Sequence, residues 1–325
     1  MTTPLAFLFP GQNSRYPAML DKLLAWHKDN EVVMERASDT LGRDLKTHFR
    51  AENPDIFCHN RDVQIAVFLA NHMHWQNLER ADIRAEFSAG LSLGEYNHLV
   101  HIGALKFEDA LRVLAVRGEA YESAPHGMMA AVYPLSPEEV QTLLCKLECE
   151  EKLAIAMFNT PQQCVLAGDR TALESALQEI EDGLCAQYAV VDDRLPMHSC
   201  LFRGVSERLR PALDKVLWRS PDRPYLPNVT GDFLPLPSAS DFVEALASHP
   251  WKPVRWQKSM ENLAAAAPGV VVVETGPKSV LTGFFSKRWL NPRRYCTDSP
   301  ENFGTHVEVI IQELASGIPR ATSLS

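Results

Sequence analysis

Residues 90–94 read Gly90-Leu91-Ser92-Leu93-Gly94, a serine framed by two glycines at the spacing of a nucleophile elbow. The stretch 85–89 before it is short and partly apolar, like a strand, and 95–102 after it has helical composition. Strand, sharp turn and helix in that order set the serine hydroxyl at the apex of the turn. They also aim the free N–H groups of the following helix at whatever reacts there. Such a pentapeptide gains meaning only with a base beside it and a group that selects the substrate.

An arginine supplies a candidate for the second requirement. From Phe107 to Tyr121 the apolar residues Phe107, Ala110, Leu111, Leu114, Gly118 and Tyr121 recur at helical spacings of three and four. Arg117 falls inside this stripe, whereas Arg112 and Glu119 belong to the solvent face. A guanidinium on a buried face is costly unless an anion meets it. Two readings stand: a structural ion pair or snorkelling edge residue, and a bidentate grip on a substrate carboxylate.

Composition narrows the field. The 325 residues are 46% hydrophobic and 22% charged, as in a globular chain with a substantial core, and the net charge of −9 argues against nucleic-acid binding. No apolar run is long enough to span a membrane, and the short stretch Pro4 to Pro10 lacks a basic leader, so a cytoplasmic location is expected. The seven cysteines form no Cys-x-x-Cys pair and read as reduced, mostly buried thiols. His72-x-His74 puts two histidines on different helix faces, which reads as surface chemistry and not as a metal site.

The elements that must position these residues alternate between strand-like and helical patterns, as in an α/β sheet. Strands are expected at 5–10, 85–89 and 269–274, the last apolar on both faces like a central parallel strand. Residues 128–191 change rhythm, with strands at 128–135, 153–158, 163–167 and 186–191 and helices at 137–147 and 170–181. That is the βαββαβ order of a ferredoxin-like unit. The reading is a large α/β domain (1–126 and 196–325) with a small domain (127–195) inserted in it, the active site lying in the cleft between them.

These features coincide with a known family. The chain resembles the malonyl-CoA:acyl-carrier-protein transacylases, including stand-alone acyltransferases of polyketide pathways, nearly end to end. Phe9-Pro-Gly-Gln-Asn-Ser14 is similar to the family's FPGQGS loop, and Gly90-Leu-Ser-Leu-Gly-Glu-Tyr96 to its GHSLGEY elbow. Arg117-Gly-Glu matches its helix arginine, Asn159 to Gly168 its NxPxQxVxxG run, and Met197-His198-Ser199 its catalytic histidine. Asn228-Val-Thr-Gly231, Pro253-Val-Arg-Trp256 and Glu274-Thr-Gly-Pro277 resemble its remaining landmarks. The sequence departs at Asn13, where glycine is usual, at Arg15, at Leu91 in place of histidine, and at Met197, where malonyl-selective enzymes often carry phenylalanine.

The resemblance implies an α/β fold, an α/β-hydrolase-like large domain with a parallel sheet and an inserted ferredoxin-like domain. It implies Ser92 as nucleophile, His198 as base, and the backbone N–H groups of Gln12 and Leu93 as oxyanion hole. The carbonyl orienting the histidine falls on His249. Arg117 would hold the malonyl carboxylate, with Gln64, Leu91, Met197 and Asn159 around the substrate. Expected partners are an acyl carrier protein and an acyl-CoA, with phosphopantetheine carried by the substrates, no bound cofactor or metal, and a monomeric enzyme for fatty acid or polyketide biosynthesis. Carrier docking is expected at Lys287, Arg288, Arg293 and Arg294 around Trp289, or at Arg203, Arg208 and Arg210. Three alternatives remain: an editing hydrolase on the same fold, transfer between carrier proteins, and a serine esterase using Glu274 as triad acid.

Overall fold

The computed structural model describes residues 3–298 together with 309, 310, 312 and 313. The chain starts in β1 (Leu5–Phe9) and runs through α1 (Met19–Trp26), α2 (Asp29–Leu41), the single turn α3 (Leu45–His48) and the long α4 (Asn60–Arg80). Then come β2 (Phe87–Gly90), α5 (Gly94–His101) and α6 (Phe107–Glu122). A second unit follows: β3 (Met128–Tyr133), α7 (Pro137–Lys146), β4 (Leu153–Thr160), β5 (Gln163–Gly168), α8 (Arg170–Asp182) and β6 (Gln187–Asp192). The chain returns with α9 (Arg203–Leu213), α10 (Ala239–Ser248), α11 (Trp256–Ala266), β7 (Val271–Glu274) and β8 (Arg294–Cys296).

One sheet is parallel, in the order β2-β1-β7-β8. Its central strand β1 is buried along its whole length. Leu5, Phe7 and Phe9 pack on one face with Trp75, Val271 and Val273, and Ala6 and Leu8 pack on the other with Ala89 and Val272. This two-residue period with both faces covered is what a parallel strand between helical layers requires. The order reverses at β1, with β2 on one side and β7 on the other, so the loops after β1, β2 and β7 gather at the carboxyl edge of the sheet. Open α/β sheets place their sites at such an edge.

The other sheet is antiparallel, in the order β4-β5-β3-β6, the ferredoxin-like order for a βαββαβ chain. Its strands alternate cleanly. Ala130, Val132, Cys164 and Leu166 pack under α7 and α8, whereas Met129, Met157, Val165 and Ala167 join the apolar cluster that continues into the large unit. Ser136 and Glu139 close a capping box at the start of α7, and Asp169 caps α8.

Two expectations are corrected here. His72 and His74 are both buried, because α4 is packed on nearly every side and has no solvent face at that level. Among the cysteines only Cys149 and Cys164 are buried. Cys58, Cys145, Cys185 and Cys200 are exposed, since they sit in turns and at the outer edge of α7, and all seven are free thiols.

The buried histidines set a pH dependence for the fold. Burial holds His72, His98 and His101 down to about 3 and His74 to about 4. Unfolded, each takes up a proton below about pH 6.5, which the folded chain refuses until pH 3–4. Stability present above pH 6.5 is therefore lost as pH falls through that window. Glu95 and Glu274, raised to about 7 by burial, act in the opposite sense between pH 4.5 and 7, but the histidines outnumber them. The urea midpoint is expected to be lower at pH 5 than at pH 7, and an equal or higher midpoint at pH 5 contradicts neutral burial of these rings.

Candidate active site

Ser92 leaves β2 at φ +51°, a left-handed conformation that a non-glycine residue adopts only when its surroundings impose it. The two flanking glycines are the means. A Cβ on Gly90 would lie 2.0 Å from the backbone of Gly94, and one on Gly94 would lie 2.1 Å from the carbonyl oxygen of Phe9. The loop after β1 passes directly over the serine, a Cβ on Gly11 being placed only 3.7 Å from Ser92 Cβ.

His198 is also left-handed, at φ +61°, and its Nε2 stands 2.9 Å from Ser92 Oγ. Its Nδ1 donates to the carbonyl of His249 at 2.8 Å, and its backbone N–H donates to that of Pro250 at 2.8 Å. Both carbonyls lie at the carboxyl end of α10, where helix carbonyls lack intrahelical partners and carry the negative pole. Burial, with the charge of Arg117 adding to it, holds His198 down to about 4, so the imidazole is neutral and able to accept a proton at pH 7. Glu274 is not its partner. Its carboxylate takes the N–H groups of Val280, Leu281 and Thr282 and the hydroxyl of Thr282, clamping the loop after β7. That arrangement removes the triad acid of the esterase alternative.

A cleft of about 230 Å³ separates the two units, and Gln12, Leu91, Ser92, Asn159, Met197 and His198 all line it. The Gln12 side chain donates to Met197 Sδ at 3.4 Å. The Leu93 N–H stands at the start of α5, among the groups that have no intrahelical acceptor. Asn159 keeps a buried carbonyl oxygen with no partner among the described residues.

Arg117 is 1% exposed and makes no ion pair among the described residues. Its Nη1 donates to Gln64 Oε1 at 2.7 Å, and its guanidinium lies over the ring of Tyr121 at 4.5 Å. Its Nε and Nη2 have no hydrogen-bond partner among the described residues. Gln64 is buried with Arg117, and neither lines the cleft; Gln64 accepts from Arg117 at one end and donates to Asn60 at 2.5 Å with the other.

The basic clusters separate on inspection. Lys287 and Arg288 are exposed just beyond Phe284, which lines the cleft, whereas Arg293 and Arg294 are half-buried. Trp289 is no free anchor, since it stacks on Phe285 and donates to Glu261 at 2.9 Å. In the second cluster Arg210 is paired with Glu244, Arg208 is bonded to Ser123, and Arg203 lies over Trp251.

Sequence reasoning placed Asn228 in a landmark run but gave it no role. Its Oδ1 accepts from the Ser92 N–H at 2.7 Å and its Nδ2 donates to the Gly90 carbonyl at 2.6 Å, so it braces the elbow from across the sequence. No local pattern announces such a contact.

With this geometry in view, the comparisons with known proteins are specific. The acyl transferase domain family matches residues 6–289, and the chain belongs to that family. Its branch is that of the malonyl-CoA:acyl-carrier-protein transacylases. A malonyl CoA-acyl carrier protein transacylase of Bacillus subtilis is 31% identical over 289 residues, which cover 87% of this chain and 71% of that protein. The crystal structure of a malonyl CoA-acyl carrier protein transacylase from Clostridium perfringens superposes with a TM-score of 0.86 at 26% identity, over 97% of this chain and 98% of that one. A malonyl-transacylase in complex with its type II polyketide acyl-carrier protein superposes at 0.85 and 25% identity, over 96% of this chain and 100% of that one.

Replacing Asn228 with alanine removes both braces of the elbow. The fold is expected to survive with a loss of about 1–3 kcal/mol, and reaction of Ser92 with a fluorophosphonate to slow at least about tenfold. Unchanged labelling would mean that the glycines alone hold the serine.

Proposed function

We propose that the protein is a ping-pong acyltransferase that takes a malonyl-type group from a coenzyme A thioester and passes it to the phosphopantetheine thiol of an acyl carrier protein. The observation that carries this reading is Arg117: a buried cation with two nitrogens, Nε and Nη2, unmatched among the described residues, whose charge bears on the His198 imidazole. A buried guanidinium left half-satisfied is expensive. A substrate carboxylate reaching it must displace some packing, and two charge-assisted hydrogen bonds offset that cost.

In the first half-reaction His198 Nε2 takes the proton of Ser92 Oγ as the oxygen attacks the thioester carbonyl. The N–H groups of Gln12 and Leu93 receive the oxyanion, and the imidazolium returns its proton to the departing thiolate. The second half-reaction runs the same steps backward with the carrier thiol. A thioester is already activated, so the carbonyl of His249 suffices to orient the histidine. The wall of the cleft contributed by residues 127–195 would receive the pantetheine arm, Asn159 offering its free carbonyl oxygen to an amide N–H.

An editing hydrolase for uncharged acyl chains has no use for Arg117, which is why transfer of a dicarboxylic acyl group is preferred. Lys287 and Arg288, exposed three and four residues after the cleft-lining Phe284, are the proposed docking contacts for an acidic carrier protein. The proposed setting is the cytoplasm, where reducing conditions keep the seven thiols free.

Intact-mass measurement after brief exposure to malonyl-CoA is expected to show one malonyl adduct, absent in Ser92→Ala. Arg117→Ala should cut malonyl loading by roughly 2–5 kcal/mol of lost transition-state stabilisation while raising acetyl loading relative to malonyl. Lysine at 117 should rescue poorly, lacking the planar fork. An adduct persisting in Ser92→Ala would refute the nucleophile, and an unchanged malonyl-to-acetyl ratio in Arg117→Ala would make the arginine structural.

A further inference from the structure

The serine and histidine of the site are joined a second time, through the interior. The Ser92 N–H donates to Asn228 Oδ1 at 2.7 Å, and the Asn228 N–H reaches Glu95 Oε1 at 3.3 Å. Glu95 Oε2 lies 3.2 Å from His249 Nδ1, in contact but without hydrogen-bond geometry. The His249 carbonyl accepts from His198 Nδ1 at 2.8 Å, and His198 Nε2 is back at Ser92 Oγ at 2.9 Å. The contacts thus run from Ser92 through Glu95 and His249 back to His198, the Glu95–His249 step being a close approach and the others hydrogen bonds. Glu95 and His249 are each 1% exposed, and the imidazole rings of His198 and His249 are 5.0 Å apart.

We propose that Glu95 is a positioning residue for the acyl transfer: its carboxyl packs against the His249 ring, behind the carbonyl that orients His198, and its negative charge stabilises the imidazolium that forms there. The proposal rests on the Ser92–His198 reading above. The proton moves only from Ser92 Oγ to His198 Nε2. Glu95 stays ionised during the step and gains nothing, so it acts as a field behind a histidine rather than as a proton acceptor.

The groups facing Glu95 decide when it carries charge. Tyr225 donates to Oε1 at 2.5 Å, His249 stands at Oε2, Arg117 on α6 favours the carboxylate, and Tyr96 is its neighbour on α5. Burial outweighs the hydrogen bonds from Tyr225 and Asn228 and raises Glu95 to about 7, well clear of His198 at about 4. The nucleophilicity of Ser92 is therefore expected to rise in two steps, one near pH 4 as His198 becomes neutral and one near pH 7 as Glu95 ionises.

The test is the second-order rate of Ser92 labelling by a fluorophosphonate from pH 3.5 to 9, a probe that needs no acyl specificity. In Glu95→Gln the upper step should vanish and the rate at pH 8 fall about tenfold, with the KM for malonyl-CoA within about twofold of wild type. Tyr225→Phe, which removes a hydrogen bond to the carboxylate, should shift the upper step to higher pH and leave the lower one in place. It decides the matter by itself if Glu95→Gln does not fold. A wild-type profile with one step near pH 4, or two steps that both variants leave unmoved, overturns the role of Glu95 alone. Equal labelling of Ser92→Ala and wild type would instead bring down the Ser92–His198 reading, and this inference with it.

Discussion

The site depends on one steric constraint: the loops after β1 and β2 must cross with no side chain between them. Gly94 lies against the Phe9 carbonyl and Gly90 against Gly94, so the chain can enter α5 only by turning sharply at Ser92. The serine is thereby forced to φ +51°, with its hydroxyl at the apex. The same crossing brings the Gln12 backbone over the serine and puts the N-terminal end of α5 beneath it. Ser92 and the proposed oxyanion donors, the N–H groups of Gln12 and Leu93, thus share a single cause, the close approach of two neighbouring parallel strands.

The base is held differently. A buried carboxylate touching His198 would raise its pKa and orient it at once. Here the carboxyl end of α10 gives orientation through two carbonyls, and Glu95 stands one residue further back, 3.2 Å from His249 Nδ1. The consequence is an imidazole that stays neutral well below pH 7, beside a cation, Arg117, that pushes in the same direction. In the proposed reaction the neutral His198 takes the Ser92 proton, and Arg117, which has no ion pair among the described residues, takes the anionic group of the substrate. The cost of burying Arg117 falls on the empty enzyme, where Gln64 and the rings of Tyr121 and Tyr96 compensate only part of it.

The antiparallel unit closes the cleft with a shared apolar core. Met129, Met157 and Val165 continue the cluster that begins on the parallel sheet with Ala6, Leu8 and Leu91, so the wall facing the serine is an extension of the fold's interior. Methionines in that wall adapt to irregular shapes, which suits a site that must pass a long flexible arm.

Much of this was legible in the residues taken in order. The elbow, the helical stripe that places Arg117 inward and the strand–helix rhythm of the antiparallel unit are local patterns, and local patterns follow from bonds, φ/ψ limits and side-chain period. What escaped the sequence was set by contacts between distant segments. His72 and His74 are interior because α4 is enclosed by neighbours, which no single helix can record. Gln64 faces Arg117 across 53 residues, and Trp289 turned to Glu261 instead of outward. Asn228 meets Ser92 across 136 residues, and Glu95 meets Tyr225 across 130. Which polar group satisfies which partner in a desolvated interior depends on tertiary packing alone. The sequence determined what chemistry was present and on which element each group sat. The folded chain decided which of those groups share a proton, a charge or a hydrogen bond, because only burial in common makes such partners obligatory.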